Sequence, residues 1–354
     1  MSLYLCVDCG GSKTSAAITD ANGTIIARAS GGPSNFAYLA LNDFISAIRD
    51  AVTKALEICL PSQPISLPLA TTPFAAAWFG VSGVDSPAAV ATITPAIAGL
   101  LNLPVGPRLV VANDTHLLAA PLRMHSDASH VVAVIGGTGA IAVSFREVEG
   151  NFEELGRIGG WGWMLGDEGG GFSIGKEAVR QILRANDVAS VRGTPPPTSK
   201  LRTSILERFG VSDVMELLIV VHFSDPEPGI ALQPDAPSYI SQRREHRLSS
   251  LSPLVFSAAF EHSDPLALNV LRTMAAKLAE QIALLLVRDE DGSPRAVKAS
   301  DSVVSFGGSL VGIKEYRQLV LEELERLGHA FKYVEYVDDA AAVGAVGLAK
   351  AYVV

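Results

Sequence analysis

"LYLCVDCGGSKTSAAITDANGTIIAR", residues 3–28, decides the fold. Leu3, Leu5 and Val7 alternate into Gly10-Gly11, and Ala16-Ala17-Ile18-Thr19 resumes as a second apolar run. Asp20-Ala21-Asn22-Gly23-Thr24 then leads into Ile25-Ile26-Ala27. Asn-Gly between such runs is a strong hairpin signal, so the unit reads strand, glycine turn, strand, tight turn, strand. That order argues against two look-alikes. Gly-Ser-Lys-Thr lacks P-loop spacing, and P-loops and Rossmann turns both run from a strand into a helix whose N-terminus holds phosphate. Cys6 and Cys9 form a Cys-x-x-Cys, but zinc needs further ligands at close spacing, and the remaining cysteine, Cys59, stands alone. A redox pair would open a helix. The cysteines read as small strand and turn residues.

A glycine hairpin binds phosphate in its own way. Successive turn N–H groups form an anion-binding concavity, to which Ser12, Lys13 and Thr14 add donors. Asp8, ending the first strand, suits a Mg²⁺ ion held through water, because that ion dehydrates reluctantly. Residues 131–149, VVAVIGGTGAIAVSFREVE, repeat the pattern with Gly136, Gly137, Thr138 and Gly139. Two such units imply two domains of like topology, each offering a phosphate hairpin to a shared cleft. Between them, Arg108 to Ala112 reads as a buried strand ending at Asn113-Asp114-Thr115, before the helix-like Leu117-Leu118-Ala119-Ala120. Open α/β sheets place ligands at the carboxyl ends of strands. Asp114 therefore reads either as a base for phosphoryl transfer or as a helix N-cap.

The 354 residues are 48% hydrophobic and 18% charged, enough for one large or two mid-sized domains. A net charge of −9 argues against nucleic acid or an anionic membrane as partner. No signal peptide or membrane span is expected. Three cysteines in this length fit a reducing, cytoplasmic setting.

Taken in order, Asp8-x-Gly10-Gly11-x-Lys13-Thr14, Val-x-Asn-Asp114, Gly136-Gly-Thr-Gly139 and GGWGWMLGDEG (159–169) resemble the BadF/BadG/BcrA/BcrD ATPase family, within the actin-like, sugar-kinase and chaperone ATPase superfamily. The likeness is greatest to its N-acetylglucosamine kinase branch. It implies an α/β chain of two actin-like (ribonuclease H-like) domains, with mixed sheets flanked by helices around a nucleotide and sugar cleft. Domain one would be 1–120 plus 338–354, and domain two 121–337.

The resemblance also implies roles. Gly10, Gly11, Ser12, Lys13 and Thr14 would be the first phosphate loop, and Gly137, Thr138 and Gly139 the second. Gly307, Gly308, Ser309 and Val311, around VSFGGS, would hold adenosine. Asp114 would be the base and a sugar ligand, joined by Asn35, Ser82, Gly160, Trp161, Gly162 and Asp167. Trp161, Asp167 and Asn35 are the residue types that sugar recognition needs. The implied activity is ATP- and Mg²⁺-dependent phosphorylation of the 6-hydroxyl of N-acetylglucosamine, with glucosamine as the alternative acceptor. A homodimer is within the expectation. Human-type enzymes carry a bulky aromatic two residues after the asparagine, whereas Phe36 and Ala37 follow Asn35 here. The family also includes ATPase activators of 2-hydroxyacyl-CoA dehydratases, which bridge a [4Fe–4S] cluster between subunits; Cys6, Cys9 and Cys59 are misplaced for that.

Elsewhere, apolar spacing predicts helices over 36–60 (ended by Pro61), 172–186, 266–287 and 340–352, and a strand over 75–82. Glu168 is expected to cap the helix starting near Phe172. Residues 192–199 read as a loop, and 226–247 as an insertion with little order. The resemblance implies that the last helix crosses back onto the first domain.

Overall fold

The computed structural model describes residues 2–227, 237–287 and 293–352. The opening stretch folds as its turn chemistry dictates: β1 (Leu3–Cys9), β2 (Thr14–Thr19) and β3 (Ile25–Gly31) form an antiparallel meander. Asp20 fixes the second turn by accepting from the Asn22 and Thr24 amides. Helix α1 (Leu41–Cys59) returns the chain to β4 (Phe74–Val81), parallel to β1, and α2 (Pro87–Leu101) leads to β5 (Leu109–Asn113), parallel to β4. The spatial order is β3-β2-β1-β4-β5.

The second sheet repeats this plan. β6 (His130–Gly136), β7 (Ala140–Val148) and β8 (Asn151–Gly159) make the meander, while β9 (Ser302–Gly307) and β10 (Tyr333–Val337) run parallel to β6. The order β8-β7-β6-β9-β10 matches the first sheet position for position. Helix α3 (Gly171–Arg192) follows β8. Then come the short α4 (Lys200–Phe209), α5 (Glu216–His222), α6 (Arg244–Ser249) and α7 (Ser252–Phe256), and the long α8 (Pro265–Ala283). Helix α9 (Lys314–Arg326) joins β9 to β10, and α10 (Ala340–Tyr352) follows β10.

The chain forms two mixed five-stranded sheets flanked by helices, an actin-like arrangement. Strands buried on both faces explain runs such as AAAWFGV and VVAVIG, which show no polar alternation. One core lies under α1 and α2 and includes Phe44, Ile48, Phe79 and Ile97. A larger one joins the second sheet to α3 and α8. On the other face of the first sheet, Tyr4, Cys6, Ala76 and Trp78 pack against Ala341, Ala345 and Leu348 of α10. Small residues allow this close approach: Gly344 sits against Cys6 and Gly347 against Ala120.

Several expected boundaries move, each for a local reason. Helix α1 begins at Leu41 rather than near 36, because the Asn35 side chain accepts from the Ala37 amide and makes a turn first. Helix α3 runs on to Arg192, where Gly193 adopts a left-handed conformation and closes it. Helix α8 stops at Ala283, and Leu286 leaves to bridge Val297. Glu168 does not cap α3, whose N-cap is Gly170 without a side-chain bond; Glu168 faces Lys277 at 3.6 Å.

Of the segment expected to have little order, 228–236 lies outside the described residues. The described remainder is structured: a 3-10 turn (Ser238–Ser241) precedes α6. Arg247 on α6 is fully buried and donates to the carbonyls of Val220, Phe223, Ser224, Tyr239 and Gln242. A buried guanidinium is tolerable because its donors are satisfied.

Candidate active site

The strand register assembles the site. Asp8 on β1 pairs with Gly80 on β4, and Gly80 with Ala112 on β5. Past these positions, Cys9 turns into the glycine hairpin, Val81 is followed by Ser82, and Asn113 by Asp114. Asp8, Ser82 and Asp114 thus share the carboxyl edge of three parallel strands. Gly80 has no Cβ to collide with Leu117, which lets the chain after β5 fold close over β4. In the second sheet the same edge carries the Gly136–Gly139 turn and Gly307-Gly308, and Gly308 lies directly against the Gly136 backbone.

The N-cap of the 3-10 helix Asp114–Met124 is Asn113, not Asp114. The Asn113 side-chain Oδ1 accepts from the Thr115 amide at 3.0 Å and the Thr115 hydroxyl at 2.8 Å. Asp114 is left for other work. Burial raises its pKa above the ordinary carboxylate range, and a hydrogen bond from the Ser82 side chain opposes that rise. Asn35 Nδ2 donates to Ser82 Oγ at 3.3 Å, so Asn35, Ser82 and Asp114 form one polar row. Gly83, at φ 81° and pressed against Asn35 and Ala37, has to be glycine for this row to close.

Asp8 is pushed up to about 6, first by burial, then by the charge of Asp114, with Lys13 opposing and Asp339 adding to the rise. Asp8, Lys13, Arg28, Asp338 and Asp339 line one cavity of about 370 Å³. Asp339 escaped the sequence reading; it caps α10 through the Ala342 amide and pairs with Arg28 at 3.0 Å. A carboxylate that burial and the charges of Asp114 and Asp339 push upward suits a nearby cation. Among the described residues no three His, Cys, Asp or Glu side chains form a cage for direct coordination.

Asp167 is buried, adopts φ 67°, and rests against Gly139, where a Cβ would collide with its carboxylate. Burial raises its pKa, opposed by the backbone amides of Gly162, Ala140 and Trp161. Its Oδ1 is buried without a partner, so one oxygen of an organised carboxylate remains for a ligand. Gly160, Trp161 and Gly162 form the exposed loop beside it, with Trp161 61% exposed.

Two expected contacts turn away. The Thr14 hydroxyl is fully buried and bonds Gly32 O and Ser34 Oγ, both at 2.6 Å, rather than facing the hairpin turn. Val311 is core, packed beneath Gly136. Gly11, Ser12, Lys13, Thr138, Gly308 and Ser309 lie outside the cores, as ligand-facing residues should.

The sequence model of the BadF/BadG/BcrA/BcrD ATPase family matches residues 5–349. The chain belongs to this family. An N-acetyl-D-glucosamine kinase of Dictyostelium discoideum is 26% identical over 264 residues, 73% of this chain and 71% of the relative. An N-acetylmuramic acid/N-acetylglucosamine kinase of Clostridium acetobutylicum is 28% identical over 188 residues, with the match spanning 53% of this chain and 55% of that protein. Among solved structures, a candidate N-acetylglucosamine kinase of Porphyromonas gingivalis superposes at TM-score 0.61, with 19% identity and full coverage of both chains. One of Chromobacterium violaceum gives 0.60, with 21% identity over 98% and 99%. These two show the fold.

As a member of the BadF/BadG/BcrA/BcrD ATPases, the chain uses ATP. Its cysteines do not suit the family's cluster-bridging role: Cys6 and Cys9 are fully buried in β1, where burial pushes both thiols up. Among the described residues no helix is long and apolar enough to cross a membrane.

Proposed function

We propose that this protein is an ATP-dependent amino-sugar kinase that transfers the γ-phosphoryl group to the 6-hydroxyl of N-acetylglucosamine. The observation that carries the reading is Asp114: partly buried, freed from capping by Asn113, and tied through Ser82 to Asn35 beside the hairpin edge. A carboxylate so placed accepts the hydroxyl proton as the oxygen attacks phosphorus. Burial raises its pKa, which makes it a stronger base than an exposed aspartate. Turn amides of the two hairpins and Lys13 take the phosphates. Asp8, with Asp339 nearby, would hold Mg²⁺ through water, and the ion would supply charge neutralisation for the phosphoryl oxygens. Asn35, Asp167 and the Gly160–Gly162 loop take the sugar hydroxyls, with Trp161 as the aromatic wall.

Glucosamine is the second acceptor considered, on one observation: Ala37 supplies no aromatic wall for an acetamido group. Coupled ADP release separates the two, using N-acetylglucosamine, glucosamine, N-acetylmannosamine, N-acetylmuramate, glucose and buffer alone. Closure on the acceptor excludes water and suppresses idle hydrolysis, so turnover should rise at least about tenfold with an amino sugar. Equal turnover with every sugar and with none counts against a kinase.

A further inference from the structure

Asp85 follows β4 in the first unit and Arg157 lies on β8 in the second; Arg157 Nη1 donates to Asp85 Oδ1 at 3.2 Å. The same oxygen accepts from Asn113 Nδ2 at 3.1 Å, and Asn113 immediately precedes Asp114. At the other end, Arg157 Nη2 rests against Gly160, 3.1 Å from where a side chain there would begin. A polar run of Asn113, Asp85 and Arg157 therefore leads from the cap beside the base across the gap between the two sheets, and Arg157 ends close to Gly160 in the loop that holds Trp161 and Gly162. β5 and β8 are outer strands of their sheets, and no ladder joins them. Between them opens a cavity of about 840 Å³, walled by Val90, Val111, His116 and Glu154 among others. Asp85 and Arg157 span its edge.

We propose that Asp85 and Arg157 are positioning residues: together with Asn113 they set the Gly160–Gly162 loop against the edge bearing Asp114, so that acceptor and base are aligned as one unit. The proposal rests on the kinase reading above. The physical argument lies in the exposure. The two side chains are 57% and 35% exposed, and a pair so solvated adds at most about 1 kcal/mol to stability. Its geometry is worth more to catalysis, because a small misplacement of a bound group costs far more rate than it costs stability. As the acceptor displaces water, the pair also strengthens. A role of this kind appears in the acceptor's kinetics and leaves folding nearly untouched.

The test uses the full chain with Asp85→Asn, Arg157→Gln and the double variant, varying acceptor and ATP separately and recording thermal melts. Each single variant should raise the KM for the amino sugar by about tenfold, with the KM for ATP within about twofold and Tm within about 2 °C. The double variant should lose clearly less than the sum of the singles, because both remove the bond between Arg157 and Asp85. Arg157→Lys should recover part of the loss. Unchanged acceptor constants, additive losses, or a lower Tm with normal kinetics overturn the proposal and leave the kinase reading intact. A wild-type protein with no sugar-dependent turnover overturns the kinase reading and this proposal with it.

Discussion

Replacing Asp114 by asparagine keeps the shape and reach of the side chain and removes the basic oxygen. Without general-base help, kcat should fall roughly 10²–10⁴-fold. Since Asn113 is the cap, Tm should stay within a few degrees. Asn113→Ala should behave in the opposite way in the melt. It strips the Thr115 amide and hydroxyl of their acceptor and should cost about 1 kcal/mol of stability. Measuring turnover and melting for both variants separates base from cap; an Asp114→Asn enzyme with near-normal turnover would end the claim for the base. Asp8→Ala probes the other carboxylate. It should cut kcat severely with sugar affinity nearly intact, and lost affinity at unchanged kcat would move Asp8 out of the phosphate site. These assignments were partly legible in the residues alone. A strand ending at Asn113-Asp114-Thr115 announces a ligand edge or a cap, but three good capping residues in a row hide which one caps. Only the hydrogen bonds divide the labour.

At the level of elements, Gly139 and Asp167 join the second hairpin to the loop before α3. Gly139→Ala would drive a methyl into the Asp167 carboxylate, displacing both the phosphate turn and the sugar loop. The kcat/KM values for ATP and for sugar should fall together, by about tenfold or more, and a loss confined to one substrate would argue that the elements are uncoupled. Both hairpins were readable because glycine turns and Asn-Gly are local signals that outweigh tertiary context. Helix ends were less so: the turn at Asn35 and the run-on of α3 to Gly193 depend on one side-chain bond and one left-handed residue. Asp339, Asp85, Arg157 and Arg247 stayed hidden for a different reason. Each is an ordinary charge in sequence, and its partner lies far along the chain or is a backbone carbonyl. No periodicity records such pairings.

Over the whole molecule, His116 links the halves. It sits on the 3-10 helix after β5 and packs edge-on against Phe145 of β7 at 4.7 Å. Burial lowers its pKa from 6.5 to about 4. The folded state thus prefers the neutral ring, and its contribution is intact above pH 6.5 and lost progressively as the pH falls toward 4. Over that window the loss is on the order of 3 kcal/mol. Tm should therefore drop between pH 7 and 4.5, and the slope should flatten in His116→Leu; an unchanged slope would show that other groups govern acid stability.

The placement of α10 has a consequence for how the protein is made. The first sheet is complete once β5 has been synthesised, yet most of the small-residue layer on Tyr4, Cys6, Ala76 and Trp78, beyond Leu117 and Ala120, comes from residues 340–352, after the whole second sheet. At about 5–20 residues per second, translation leaves that layer absent for roughly ten to fifty seconds. During that interval much of one side of the nascent first sheet waits for its covering helix. The portion translated later can close its own core first, reversing the usual N-to-C order of domain folding.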